Sequence, residues 1–184
     1  MNKAPLWVLA GVILALAGVS IWLDRAFREP AAPVAPNTTS ATIGFPTVAA
    51  TAFPDVEGRP QSLGQWQGKL LVVNFWATWC APCREEMPIF DAIHQKYSAK
   101  NVQIVGIAAD TASKVTEFQK STPVRYPLLV GPTDAMELSK RLGNRIGVLP
   151  HTVIFSADGK LLLAKLGPFT KVELESIIAE NTVK

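Results

Sequence analysis

Cys80 and Cys83 are the only cysteines in the 184-residue chain, and they stand three positions apart in Trp79-Cys80-Ala81-Pro82-Cys83. Sulfurs at that spacing face one another across a single turn. One thiolate can attack a disulfide in another molecule, and the second thiol can then resolve the mixed disulfide. Two cysteines exclude a four-thiolate zinc centre and a multi-bridge disulfide scaffold. Covalent haem attachment needs a histidine directly after the second cysteine, and Arg84 stands there. A zinc site would have to recruit His94 and His151, which offer no local ligand pair. A purely structural bridge over so short a loop would constrain the unfolded chain little. The competing class is a metal-binding module, in which the reduced pair acts as a Cu(I) metallochaperone site, since thiolates suit that soft ion.

The elements that must position this pair can be read around it. Lys69 to Phe75 is a short apolar, β-branched run, as expected of a strand buried on both faces. From Cys80 to about Lys96 the pattern is helical, with Pro82 tolerated in the first turn and Pro88 expected to kink the helix. Cys80 therefore lies at a helix start, where unpaired N–H groups and the positive end of the helix favour a thiolate.

Further along, Val102–Ala108, Pro127–Val130 and His151–Phe155 read as strands. Asp158-Gly159 marks a hairpin into Lys160–Leu166. Ser113 is a candidate N-cap for a helix to about Lys120, and Asp134–Leu142 reads as a helix stopped at Gly143. The last helix opens on the capping box Thr170-Lys171-Val172-Glu173 and carries Val172, Leu174, Ile177 and Ile178. Upstream, Phe53–Leu63 reads as a hairpin turning at Glu57-Gly58. This alternation implies an α/β fold, a mixed sheet with helices on both faces.

The N-terminal part is different in kind. Residues 4–23 carry no charge, and as a helix they would span about 30 Å, the thickness of a hydrocarbon core. Trp7 and Trp22 lie near the two ends, where amphipathic rings favour the membrane interface. Residues 1–29 are thus read as a membrane anchor, or else as a signal peptide with Lys3 in its basic region. The length of the apolar run and the lack of a small-x-small site before Asp24 favour the anchor. Basic residues are nearly balanced on its two sides, and the default is a short inner tail with the large domain exported to the periplasm or extracytoplasmic space. Residues 30–44 form a Pro-rich, uncharged linker, a semi-rigid spacer. Residues 45–184 are the folded domain. The net charge of +3 is too mild for a nucleic-acid footprint.

The stretch Asn74-Phe-Trp-Ala-Thr-Trp-Cys-Ala-Pro-Cys-Arg-Glu-Glu-Met-Pro88 resembles the active site of the thioredoxin superfamily. More narrowly, it is similar to the membrane-anchored branch typified by TlpA and ResA, over about residues 45–180. Phe75, Trp76, Trp79, Pro82 and Pro88 all sit at that family's offsets from the cysteine pair. A peroxiredoxin would have Thr or Ser where Ala77 stands and Pro where Val73 stands.

The resemblance implies a thioredoxin fold, three layers α/β/α around a mixed central sheet. To this it adds the N-terminal hairpin and a helix–strand insertion at about residues 111–133. It implies that Cys80 is the nucleophile and Cys83 the resolving thiol. It implies that Pro150 is a cis-proline facing the pair, with the Leu149 backbone pairing with a substrate strand. Trp79 and Pro82 complete the expected substrate contacts. Glu86 matches a glutamate that this branch places near the thiols. It is either a desolvated proton acceptor for Cys83 or a solvated helix residue like Glu85.

Thioredoxin has a buried Asp where this chain has Asn74, which cannot take a proton, so proton handling must lie elsewhere. His151 after the proline is the second departure, and a packed or solvent-facing ring is favoured over a site role. The activity implied is a protein-disulfide reductase at the bacterial inner membrane, single-pass and fed by a membrane electron-donor thiol oxidoreductase. Its targets would be protein thiols such as those of apocytochrome c or copper sites. The proline-adjacent pattern of dedicated cytochrome-maturation members, with Gly-Ala-Pro-Glu, is absent. No cofactor beyond the Cys80–Cys83 disulfide, no metal and no nucleic acid is expected.

Overall fold

The structure is a computed structural model and describes residues 44–182. The segments read as anchor and most of the linker lie outside the described residues. Among the described residues, no helix is long and apolar enough to cross a membrane.

The chain enters on a short helix, α1 (Phe45–Ala49), which no pattern in the sequence announces, and then forms the expected hairpin. Strands β1 (Ala52–Pro54) and β2 (Pro60–Ser62) pair antiparallel around a turn in which Gly58 takes a φ of 84°. A 3-10 turn over Leu63–Trp66 leads to β3 (Leu70–Trp76). Every residue of β3 is buried. It pairs in parallel with β4 (Val102–Ala108) and antiparallel with β6 (His151–Phe155). Strand β5 (Leu128–Val130) lies outside β4 and β7 (Leu161–Leu166) outside β6, so the five-stranded sheet has the order β5-β4-β3-β6-β7. A central strand flanked by one parallel and one antiparallel neighbour is what a mixed sheet requires.

Strand alternation divides the core into two layers. Leu70, Val72 and Trp76 of β3 point to one side with Val102, Ile104 and Ala108 of β4. That side is covered by α2 (Ala81–Tyr97) through Met87, Phe90 and Ile93, by α3 (Ala112–Ser121) through Val115, and by α5 (Lys171–Thr182) through Leu174 and Ile178. Leu71, Val73 and Phe75 point the other way, against α1 and against α4 (Asp134–Arg141) through Ala135 and Leu138. Each large apolar side chain removed from water in this way contributes about 1.5–3 kcal/mol.

Several local readings are corrected. Helix α3 is capped at Thr111, not Ser113, and begins at Ala112, because Asp110 at the end of β4 takes the Thr111 N–H and turns the chain earlier. Helix α2 starts at Ala81 with Cys80 as its N-cap and continues through Pro88 to Tyr97. Val172 in α5 is 80% exposed rather than part of the apolar face, which Leu174 and Ile178 supply. Only half of the capping box forms. The Glu173 N–H donates to Thr170 Oγ1 at 3.3 Å, whereas the Glu173 carboxylate turns to Lys165.

Candidate active site

Strand β3 ends at Trp76, and the chain turns through Ala77-Thr78-Trp79 into α2. The turn is fixed by the Cys80 N–H, which donates to the Ala77 carbonyl at 3.1 Å, and by the Thr78 hydroxyl, which donates to Asp110. Asp110 is buried at the end of β4. Burial alone would raise its carboxyl, but the Thr78, Thr111 and Lys114 donors together hold it below the ordinary carboxylate range.

Cys80 takes the extended φ, ψ of an N-cap, −86° and 103°, and its carbonyl accepts the first helical bond from Arg84. Pro82 has no N–H, so the donor that turns back onto the cap is that of Cys83, 3.3 Å from Cys80 Sγ. The two sulfurs are bonded at 2.07 Å. Cys83 is fully buried. Cys80 keeps a small exposed surface beside Trp79, which is 67% exposed. A sulfur that accepts an N–H at a helix start is in the setting that stabilises a thiolate.

Glu86 lies one turn beyond Cys83 on α2 and is buried, unlike its exposed neighbour Glu85. Its Oε1 accepts from Asn74 Nδ2 at 2.7 Å and its Oε2 from the Phe169 N–H at 3.0 Å. Asn74 also donates to Thr152 Oγ1 at 3.0 Å, its partner across the β3–β6 ladder. Burial pushes the Glu86 carboxyl up to about 7. That is the net result, because the Phe169 and Asn74 donors and the charge of Lys165 oppose burial without offsetting it. Asn74 therefore takes no proton itself but holds the carboxyl that can. The Phe169 donor is a backbone group with no sequence signal. Thr152 carried one, as a polar residue at an inward position of a buried strand.

The Leu149–Pro150 peptide is cis. Because His151 pairs with Phe75 across β3 and β6, the chain before Pro150 and the chain after Trp76 leave the sheet at the same end. Leu149 packs against the core cluster that contains Cys80 and Cys83. Pro82 is exposed on the first turn of α2. The structure thus brings Trp79, Cys80, Pro82, Cys83, Glu86, Leu149 and Pro150 to one end of the sheet. His151 is not part of that surface. Its ring is buried, stacks on Phe75 with centroids 5.5 Å apart, and bonds through Nδ1 to Ser139 Oγ at 2.9 Å. Burial pushes it down to about 4, so it is neutral. Among the described residues, no group of three or more His, Cys, Asp or Glu side chains gathers to hold a metal ion.

Residues 33–180 match the profile of the Redoxin family. The chain belongs to the Redoxin family. Within it, the chain is similar to a thiol-disulfide oxidoreductase ResA of Bacillus cereus, with 33% identity over 130 residues, 70% of this chain and 72% of that protein. The ResA of Geobacillus kaustophilus is 27% identical over 165 residues, 89% of this chain and 87% of that one.

Among solved structures, a thioredoxin-related protein from Neisseria meningitidis serogroup B superimposes with a TM-score of 0.64 at 32% identity. The match covers 72% of this chain and 99% of that one. A thiol:disulfide interchange protein of the thioredoxin family from Chlorobium tepidum TLS gives 0.67 at 25% identity, over 74% and 95%. This Redoxin-family chain has the thioredoxin fold and is a TlpA/ResA-like thiol–disulfide oxidoreductase.

Proposed function

We propose that the chain is a membrane-tethered extracytoplasmic reductase of protein disulfides. The observation that carries the reading is the Cys83 N–H turned onto Cys80 Sγ at the start of α2, beside the exposed Trp79. In the reduced protein the same donor stabilises a Cys80 thiolate.

That thiolate attacks one sulfur of a substrate disulfide, forming a Cys80–substrate bond and releasing the other substrate sulfur as a thiolate. The Cys83 thiol passes its proton to the Glu86 carboxylate and attacks Cys80 Sγ. The mixed disulfide breaks and the second substrate sulfur also leaves as a thiolate. Glu86 returns its proton to one substrate sulfur, solvent protonates the other, and the protein is left with the Cys80–Cys83 bond seen in the structure. The Leu149 backbone and Pro150 clamp the substrate strand, with Trp79 and Pro82 beside it.

A membrane thiol oxidoreductase restores the dithiol. The uncharged run at residues 4–23 is the tether, and the targets are extracytoplasmic thiols such as those of apocytochrome c or copper sites.

Two experiments test this. Cys83→Ser expressed in cells accumulates mixed disulfides through Cys80, and recovery of none contradicts the mechanism. A redox titration followed by tryptophan emission gives a midpoint below about −220 mV, and one above about −180 mV would make the protein an oxidant instead.

A further inference from the structure

Between α4 and the cis-proline the chain runs through Gly143-Asn144-Arg145-Ile146-Gly147-Val148, a stretch outside the regular elements whose Ile146 and Val148 are 73% and 42% exposed. Gly143 and Gly147 take φ values of 112° and 70°, a backbone conformation that glycine adopts without a steric cost. Asn144, by contrast, is 1% exposed. Its Oδ1 accepts the Val148 N–H at 3.1 Å, and its Nδ2 donates to the Val148 carbonyl at 2.7 Å and to Ser139 Oγ at 2.9 Å.

One side-chain amide thus occupies both main-chain groups of Val148, as a neighbouring strand would. Ser139 lies on α4, and its Oγ accepts from Asn144 and is hydrogen-bonded to Nδ1 of the buried His151. The clasp is therefore anchored to a helix on one side and to β6 on the other. Beyond it, among the described residues, neither the N–H nor the carbonyl of Leu149 has a hydrogen-bond partner.

We propose that Asn144 is a positioning residue for substrate recognition. By filling the hydrogen bonds of Val148, it fixes the loop in the shape that turns Ile146 and Val148 outward. It also leaves the next residue, Leu149, with its backbone free to pair with an extended cysteine-bearing segment. The inference rests on the substrate-clamp reading of Leu149 and Pro150 proposed above. Asn144 touches neither sulfur, so it acts on binding and not on the intrinsic reactivity of Cys80.

The test is single-turnover reduction, followed by tryptophan emission, of a linear peptide with an internal disulfide and a leucine beside one cysteine. The reduced wild type is compared with Asn144→Ala, Asn144→Asp and Pro150→Ala. Iodoacetamide alkylation of Cys80 is measured in parallel. Asn144→Ala is expected to raise the half-saturating peptide concentration about tenfold, as loss of its two part-buried hydrogen bonds to Val148 implies. The limiting rate and the alkylation rate should stay within about twofold, because the sulfur's own surroundings are intact.

Asn144→Asp keeps the acceptor for the Val148 N–H but loses both donations and sets an oxygen against the Val148 carbonyl, and it is expected to raise half-saturation at least as much as Asn144→Ala. Hydrogen exchange at the Val148 amide should be slow in the wild type and fast in Asn144→Ala. If Pro150→Ala raises half-saturation and Asn144→Ala does not, the clasp is overturned and the clamp stands. If neither variant changes it, both readings fall. A parallel loss of peptide reduction and alkylation in Asn144→Ala, with Asn144→Asp behaving likewise, would mark a general structural role and also overturn the proposal.

Discussion

In the proposed exchange, Glu86 is the residue on which proton movement at the site turns. A carboxyl with two hydrogen bonds and almost no exposed surface sits within reach of neutrality at physiological pH, because burial outweighs the donors of Phe169 and Asn74. Glu86→Gln keeps the shape and removes the titration. The rate at which Cys83 resolves a Cys80 mixed disulfide should drop at least about tenfold at about pH 7.5 and lose its inflection near pH 7. Stopped-flow release of a thionitrobenzoate leaving group from a preformed Cys80 adduct measures this. An unchanged pH profile would assign the proton to solvent. The residue type and its offset from Cys83 are legible in sequence, but its burial is not. Burial follows from where the β7–α5 loop brings the Phe169 N–H, a contact between positions far apart in the chain.

At the scale of elements, the reactive turn is the junction of a fully buried strand with a helix whose second residue is proline. Both are readable in the chain, β3 from its unbroken apolar run and α2 from the cap and proline order. Less readable is what packs over β4. Gly106 faces Asn74 across the parallel ladder, and a Cβ there would lie 2.7 Å from Leu128 Cδ2 and 3.1 Å from Trp76 Nε1. The glycine therefore makes room for the indole that ends β3 just before the cysteine turn. Gly106→Ala should destabilise the fold by about 1–3 kcal/mol through overpacking, as measured by urea unfolding of the oxidised protein. No loss would show that the neighbours shift freely. The Ser113 cap fails for a related reason, because the buried Asp110 competes for the same backbone turn.

For the molecule as a whole, two buried titratable groups act on stability in opposite directions. The folded-state value of Glu86 is raised to about 7, so its stabilising contribution is full below the unfolded value of 4.5 and is lost as pH rises through 7. The folded-state value of His151 is depressed from 6.5 to about 4, so its contribution is present above 6.5 and is lost as pH falls through 4. Each is worth about 3 kcal/mol over its window, and between pH 4.5 and 6.5 they nearly cancel. Urea unfolding should therefore give a shallower profile for the wild type in that range than for either variant, with the rise that His94, also depressed by burial, adds. The profile should rise with pH for Glu86→Gln and fall with pH for His151→Gln. Parallel slopes in the two variants would contradict this account of the buried pair. Sequence places these residues on an α/β scaffold with hairpin and insertion, but it does not show which polar groups the packed layers seal from water. That depends on contacts across the sheet, such as Ser139 with His151.

The central claim is that the leading sulfur is ionised and reachable because α2 begins beneath it. Its most direct test is alkylation of the reduced protein across pH, with the labelled cysteine identified by mass. Labelling should occur at Cys80 before Cys83, with an inflection at least about one unit below the ordinary thiol value of about 8.5. Labelling at Cys83 first, or an inflection at or above that value, would contradict the mechanism at its first step.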